Sequence, residues 1–256
     1  MISPNFSIDA LGVVLDYAGS SAVPIGPRHA ITAAHTGTAP RLDGICPRML
    51  AQRTVHPTKD LAILHLAEGE LDFSRWHPVC SRQIKPEGEL CVMGGYGQVG
   101  PPGGPIGFPR RPMWGTNYVR SSWMGWCSTQ FDDRDTMPGD VPGTPFECQW
   151  CMNDSGGPLL VYGSGGRLEL AGVAVAASGL DFGGYSYAER LYEALPWIDE
   201  VIGTADTNGD GVVTDADFWA FLSRWHDVRG FDINGDGRST IQDLFDFLAW
   251  WRRRKI

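Results

Sequence analysis

Three short segments of this chain carry residue types that together can perform nucleophilic catalysis. Ser155 lies in the string NDSGGPLL at 153–160, between an acidic residue and two glycines. His35 follows Thr-Ala-Ala, and Asp60 begins the largely apolar run 60–64. A serine hydroxyl becomes a strong nucleophile when a neutral imidazole takes its proton, and a carboxylate holds that imidazole in the required tautomer. The three segments therefore predict a catalytic triad in the chain order His, Asp, Ser.

The same strings resemble those of the chymotrypsin-type (trypsin-like) serine proteases, which have this order of triad residues. The resemblance runs from about residue 8 to 202 and includes the segments 91–97, 170–175 and 195–198. It implies that His35 is the general base, that Asp60 orients His35 and that Ser155 forms an acyl-enzyme. The backbone N–H groups of Asn153 and Ser155 would then form the oxyanion hole.

Two residues depart from the family pattern. The first oxyanion donor is normally a glycine, but asparagine also adopts left-handed backbone conformations at modest cost, so Asn153 is compatible with the hole. Asp154 pairs with a new amino terminus in activated animal enzymes, whereas nothing in this chain resembles their Ile-Val-Gly-Gly start. Either another cation or hydrogen-bond donors hold Asp154, or the site is immature.

Short apolar runs separated by segments rich in glycine and proline predict a mainly β protein. The runs are 11–15, 30–34, 61–66, 90–94, 158–162 and 168–176. With the resemblance, they imply two six-stranded antiparallel barrels of the chymotrypsin type with a C-terminal helix. The segment 98–112, rich in proline and glycine, is either a loop beside the catalytic cleft or a plain connector.

Six cysteines precede residue 152, namely Cys46, Cys80, Cys91, Cys127, Cys148 and Cys151. Their even number predicts disulfides of undetermined pairing, and disulfides predict a secreted or cell-surface protein. No signal peptide is visible in residues 1–10. Cys148 and Cys151 have the spacing of half a zinc site, but no second pair stands at a matching spacing, so zinc is not expected there.

Charge and hydropathy exclude other classes of protein. The net charge of −9 argues against nucleic acid as the main partner. No apolar run reaches the length that a transmembrane segment needs.

An internal repeat begins near residue 204. The segment 206–217 recurs twenty-six residues later as 232–243. Oxygen ligands at loop positions 1, 3, 5 and 12, a backbone carbonyl at 7 and a glycine at 6 are what a calcium loop requires. The predicted ligands are Asp206, Asn208, Asp210, Val212 and Asp217 in the first loop, and Asp232, Asn234, Asp236, Arg238 and Asp243 in the second.

Apolar residues continue the repeat beyond the loops, since Phe221, Leu222 and Trp225 correspond to Phe247, Leu248 and Trp251. Each loop therefore opens an amphipathic helix whose apolar side can be buried against its twin. Aspartate at position 12 makes the pair resemble dockerin-type tandem EF-hands, which implies a small α-helical module at 204–256, two calcium ions and a bacterial source. The protease-like domain would be 1–203, with no cofactor for catalysis.

Three functions are possible for this module. It would attach the protein to a scaffold through a cohesin-like partner, or anchor it at a cell surface, or stabilise the C terminus.

The predicted substrate pocket lacks a charge at its base. Gln149 occupies the position, six residues before Ser155, where family members that cleave after basic residues carry aspartate. Its neighbour Trp150 would shorten the pocket, and small residues would form the walls, namely Ser178, Gly179 and Gly184. Asp181 is the alternative source of a negative charge.

The sequence thus predicts a serine endopeptidase acting on proteins or peptides. The alternative is a catalytically weak or inactive protease homologue that acts as a calcium-dependent binding or scaffold-docking protein. The complete triad argues against this alternative, and Asn153 is the feature in its favour.

Overall fold

A computed structural model describes most of the chain up to residue 202 and parts of the C-terminal region. The described residues are 14–26, 28–43, 47–67, 69–71, 73, 76–85, 88–104, 106–107, 111–132, 143–163, 166–202, 214–224, 240–241, 244–245, 247–248 and 251.

The first half of the chain forms a six-stranded antiparallel sheet. Its strands are β1 (Leu15–Tyr17), β2 (Ser20–Gly26), β3 (His29–Thr32), β4 (Arg41–Leu42), β5 (Arg48–Val55) and β6 (Ala62–Leu66), in the order β1-β2-β3-β6-β5-β4. Backbone hydrogen bonds between Asp16 and Asp43 join the two outer strands, at 3.1 and 2.8 Å. The sheet is therefore rolled into a nearly closed barrel.

The second half forms a closed antiparallel barrel. Its strands are β7 (Glu89–Gly95), β8 (Met113–Trp123), β9 (Trp126–Gln130), β10 (Pro158–Tyr162), β11 (Leu168–Ser178) and β12 (Tyr185–Arg190), in the order β10-β11-β12-β9-β8-β7. The prediction of a mainly β fold with two six-stranded antiparallel barrels is confirmed.

Three apolar clusters hold these barrels. One lies in the first barrel around Tyr17, Leu42 and Leu64, and one lies in the second around Met93 and Leu159. The third joins residues of both barrels, among them Ile31, Ile63, Leu160, Val173 and Ile198. Burial of apolar surface is the main stabilising contribution to folding, so the third cluster also fixes the barrels against each other.

A 3₁₀ turn (Tyr192–Ala194) leads from β12 into helix α1 (Leu195–Ile202), as the resemblance implied. Pro196 lies in the first turn of α1, where a missing backbone N–H costs no intrahelical hydrogen bond. Ile198 is 2% exposed and belongs to the cluster between the barrels. Within the described parts of the chain, no helix is long and apolar enough to span a membrane.

Helix α2 (Asp215–Arg224) begins with a reciprocal cap. Thr214 Oγ1 accepts from Ala216 N at 3.2 Å, and Asp217 Oδ2 accepts from Thr214 N at 2.7 Å. Phe221 and Phe247, which are equivalent positions of the repeat, stack at 4.1 Å between ring centroids and are fully buried. The two halves of the repeat therefore pack through matching rings, but the boundary at 203/204 lies outside the described residues and stays a prediction.

The prediction of disulfides is wrong for the five described cysteines, Cys80, Cys91, Cys127, Cys148 and Cys151, which are free thiols. Cys46 lies outside the described residues. Four of these thiols, those of Cys80, Cys91, Cys127 and Cys148, pack in the core of the second barrel as small apolar groups. Burial raises the pKa of Cys80 to about 11 and that of Cys127 to about 12. Free thiols give no indication of a secreted protein.

Candidate active site

His35 and Asp60 meet because β3 and β6 are neighbouring antiparallel strands. Thr32, the last residue of β3, lies opposite Ala62, the first residue of β6. The segment after β3 and the segment before β6 therefore leave the sheet at the same edge. Asp60 Oδ2 lies 2.6 Å from His35 Nδ1, and Asp60 Oδ1 accepts from His35 N at 2.8 Å.

Ser155 reaches the same point from the second barrel, just before β10. Its Oγ lies 2.8 Å from His35 Nε2, so the three predicted triad residues form one continuous chain of hydrogen bonds. The carbonyl of Ser155 accepts from Ser21 N on β2 at 2.8 Å, which ties the serine to the first barrel. The His35 side chain is 46% exposed, so a substrate in solution has access to it.

The turn around Ser155 has the backbone conformation that an oxyanion hole needs. Asn153 has φ of 73°, the left-handed conformation that its side chain tolerates. Within the described part of the chain, the N–H groups of Asn153 and Ser155 have no protein acceptor. These two donors are therefore free to bind a developing oxyanion.

Glycine is required on the far side of the serine. Gly156 has φ of +87°, and a Cβ there would lie 1.9 Å from Ser21 O. A Cβ on Gly157 would lie 2.2 Å from Gly94 O. The nucleophile turn is thus inserted between backbone of both barrels, at approaches that a side chain would prevent.

Of the alternatives that the sequence left open for Asp154, the structure supports hydrogen-bond donors. Oδ1 accepts from Gly97 N at 2.7 Å, and Oδ2 accepts from Cys151 N at 2.8 Å. Burial raises the pKa of Asp154 to about 6, although both backbone donors act in the opposite direction. The carboxylate therefore anchors the loop before Ser155 without any ion pair in the described part of the chain.

Two glycines that sequence reasoning did not assign to the site make room for Asp154. A Cβ on Gly95 would lie 2.0 Å from Asp154 Oδ1, and one on Gly97 would lie 2.6 Å from the same atom. The signal was present in the string Gly94-Gly95-Tyr96-Gly97, since repeated glycines at the end of a strand indicate close approach of another segment.

The predicted pocket residues come together around the amide of Gln149. Its Nε2 donates to the carbonyl oxygens of Ser178, Gly179 and Tyr185, at 3.1, 2.8 and 3.3 Å. A Cβ on Gly184 would lie 2.7 Å from the same nitrogen. Gln149 therefore links the two sides of the loop 178–185. Its side chain is an uncharged amide, so it brings no negative charge to this position.

Trp150 and Asp181 are placed differently from the other pocket residues. Trp150 is 4% exposed and its indole N–H donates to Gly94 O at 3.1 Å, so its ring lies in the core of the second barrel. Asp181 accepts from Phe182 N at 2.8 Å and lies against Gly103. Trp150 also lines a cavity together with Gln149, and the expectation that it shortens the substrate pocket stays a prediction.

The proline-rich segment that begins at residue 98 lies beside the site. Its residues 98–102 and 106 line a cavity of about 200 Å³ together with Trp114, Gln149, Asp154 and Leu180. This location favours the cleft loop over the plain connector.

Nine of the ten predicted calcium ligands lie outside the described residues. The exception is Asp217, which is fully buried at the start of α2.

Comparisons with known proteins agree with this architecture. No protein-family model matches the chain, and no curated protein matches it. Among solved structures, the chain is similar to mouse neuropsin, described as a serine protease expressed in the limbic system of the brain. The TM-score is 0.58 at 18% identity, over 74% of this chain and 92% of that chain. At this identity the likeness establishes the fold, which is the chymotrypsin-like two-barrel fold.

The nucleophile turn generates a first prediction. Gly156→Ala should lower the free energy of unfolding by at least about 3 kcal/mol, because the methyl group meets Ser21 O in addition to the unfavourable φ. Gly166→Ala is the matched control, since Gly166 has φ of +77° and open space around its Cβ position. The control should lose only about 1 kcal/mol in chemical denaturation. Equal losses in the two variants would contradict the proposed close approach.

Proposed function

We propose that this protein is a serine endopeptidase that cleaves peptide bonds through an acyl-enzyme. The observation that carries the proposal is the hydrogen-bonded chain Asp60, His35, Ser155, with Nδ1···Oδ2 at 2.6 Å and Nε2···Oγ at 2.8 Å. A base within hydrogen-bond reach of the nucleophile, oriented by a third group, is the arrangement that serine catalysis requires.

In the proposed reaction, Ser155 Oγ attacks the substrate carbonyl while its proton passes to His35 Nε2. Asp60 stabilises the imidazolium through the Nδ1–H hydrogen bond. The free N–H groups of Asn153 and Ser155 bind the carbonyl oxygen as it gains negative charge. His35 then gives the proton to the leaving amine, and a water activated by the same imidazole hydrolyses the acyl-enzyme.

The substrate class follows from the pocket residues. The residue at the predicted base of the pocket, Gln149, has an uncharged amide side chain. The N–H groups of this amide already donate to backbone carbonyls. A lysine or arginine side chain that reaches this position would meet an amide there and not a carboxylate. We therefore assign the protein to endopeptidases that cleave after uncharged residues.

We extend the proposal to residues 204–256 as a calcium module of the dockerin type, in a secreted or cell-surface protein. Its support is the doubled loop sequence, in which all ten ligand positions offer oxygen, and the stacked Phe221 and Phe247. Calcium binds through oxygen ligands of this kind. The bound ions would order the two loops, and a cohesin-like or cell-surface partner is the corresponding docking target.

Removing the nucleophile or the base should abolish hydrolysis. Ser155→Ala and His35→Ala should each lower kcat by a factor on the order of 10⁶, because the members of a triad act as a unit. A fluorophosphonate probe should label Ser155 in the wild type, and mass spectrometry of the labelled peptide identifies the site. Ser121→Ala, a change of another serine on the second barrel, is the control. Undiminished turnover in Ser155→Ala would refute the proposal.

Cleavage should occur after uncharged residues. Digestion of an unbiased peptide library, read by mass spectrometry, measures this preference directly. If most cuts follow lysine or arginine, the assignment is wrong and Asp181 becomes the source of the charge. Comparison with Asp181→Asn then decides, because only a pocket that uses Asp181 would lose the basic preference in that variant.

Calorimetry should detect two calcium ions per chain. Asp217→Asn should reduce this number to one, because it removes the closing charge of the first loop while an amide oxygen can still cap α2. Asp215→Asn is the matched control at a position between the predicted ligands. Chelation should also reduce the helical signal of circular dichroism, since the acidic side chains of each loop then repel one another. Absence of calcium uptake by the wild type would leave these loops without a metal role.

A further inference from the structure

The residue before Asp60 forms an ion pair that crosses between the barrels. Lys59 Nζ lies 2.8 Å from Glu189 Oε1 and 3.2 Å from Glu193 Oε2. Lys59 belongs to the first barrel, in the turn that precedes β6. Glu189 is on β12 and Glu193 is in the 3₁₀ turn, so both carboxylates belong to the second half of the chain.

This ion pair is mostly removed from solvent and well hydrogen-bonded. The Glu189 side chain is 4% exposed, and that of Lys59 is 17% exposed. The second oxygen of Glu189 accepts from Trp126 Nε1 at 2.7 Å, so both carboxylate oxygens have a partner. Burial lowers the pKa of Lys59, but the hydrogen bonds and charges of Glu189 and Glu193 outweigh it and raise the pKa overall. Such a pair holds its two segments in one fixed arrangement.

Asp60 itself has few direct restraints. In the described part of the chain, the hydrogen bonds to its carboxylate come from His35 alone, which is the residue that it orients. Its location therefore depends on the backbone on either side. Leu61 is fully buried and its N–H donates to Lys59 O at 2.8 Å, which closes a tight turn around Asp60. One flank of this turn is fixed in the core. The other is fixed by the ion pair of the Lys59 side chain and by the hydrogen bond from Lys59 N to His56 Nδ1 at 3.0 Å.

We propose that Lys59 and Glu189 are positioning residues that hold the Asp60 turn of the first barrel in register with Ser155 of the second. The proposal deepens the proposed function and rests on it for the kinetic readout. The orientation of His35 depends on this register, because its two ring nitrogens bind residues of different barrels. A displacement of about 1 Å at a reacting group can lower the rate about 100-fold. Loss of the ion pair is therefore expected to lower kcat if it allows the Asp60 turn to move.

The test compares variants of the full chain. Lys59→Met removes the cation. Lys59→Met combined with Glu189→Gln removes both charges, while the amide oxygen introduced on β12 remains an acceptor for the indole N–H of Trp126. Lys59→Arg retains the ion pair. Arg82→Met is the matched control, because Arg82 pairs with Glu89 within the second barrel, away from the triad.

Two readouts distinguish a positioning role from a structural one. The first readout is the change in kcat compared with the change in KM. In Lys59→Met and in the double variant, kcat should fall about 10- to 100-fold while KM stays within about twofold of the wild-type value. The second is the proton resonance of His35 Nδ1–H, which a short hydrogen bond to a carboxylate moves far downfield. This signal should weaken or shift in both variants and persist in Lys59→Arg and Arg82→Met.

If Lys59→Met does not fold, the double variant is used to test the positioning role. Recovery of wild-type kcat and of the proton signal in the double variant would overturn the proposal, because the loss would then come from an unpaired buried carboxylate. An unchanged signal and kcat in Lys59→Met would also overturn it. If the wild type shows the downfield proton but no hydrolysis, the proposed function fails, and loss of that proton in the variants still supports the positioning role.

Discussion

The contact between the two barrels is the constraint on which the site depends, because neither barrel contains the triad alone. The first barrel supplies His35 and Asp60, and the second supplies Ser155. Ser21 of the first barrel binds the second half of the chain at two points, since its N–H donates to Ser155 O and its Oγ accepts from Tyr96 N at 3.0 Å. Its carbonyl accepts from Thr32 Oγ1 at 2.7 Å, which connects the same point to the strand before His35. A shift of one barrel against the other would therefore change the bonds from Ser21 to Ser155 and Tyr96 and the His35–Ser155 bond together.

Close approach at this contact also explains the local sequence of the nucleophile turn. Gly156 and Gly157 lie against carbonyls of opposite barrels, whereas Asn153 has the left-handed φ together with a side chain. Glycine is therefore needed where backbone meets backbone, and asparagine suffices where only the conformation matters. The replacement of the usual glycine at 153 is in this sense consistent with a formed oxyanion hole.

Features encoded by short local patterns were predictable, and features that depend on pairing were not. Strand β10 coincides with the predicted run 158–162 because the apolar run is continuous, whereas β5 has polar residues on an exposed face and gave no signal. The cysteines were misread because an even count does not distinguish paired sulfurs from thiols that fill a core. The bonds of Gln149 to Ser178 and Gly179, and the pair Lys59 and Glu189, join residues far apart in the chain. The resemblance had placed Gln149, Ser178 and Gly179 in one pocket, but the bonds between them and the pair Lys59 and Glu189 are identified by the folded structure.

The two aspartates beside the catalytic groups show how environment separates the roles of one residue type. Asp60 is partly exposed and binds the imidazole, whereas Asp154 is buried and binds only backbone N–H groups. Because the folded-state pKa of Asp154 is raised to about 6, the folded state favours its protonated form. That contribution to stability is present below about pH 4 and is lost as the pH rises through 6, a difference of about 3 kcal/mol. At neutral pH the ionised Asp154 therefore contributes less to stability than its protonated form does in acid, while its two backbone hydrogen bonds still hold the loop before Ser155.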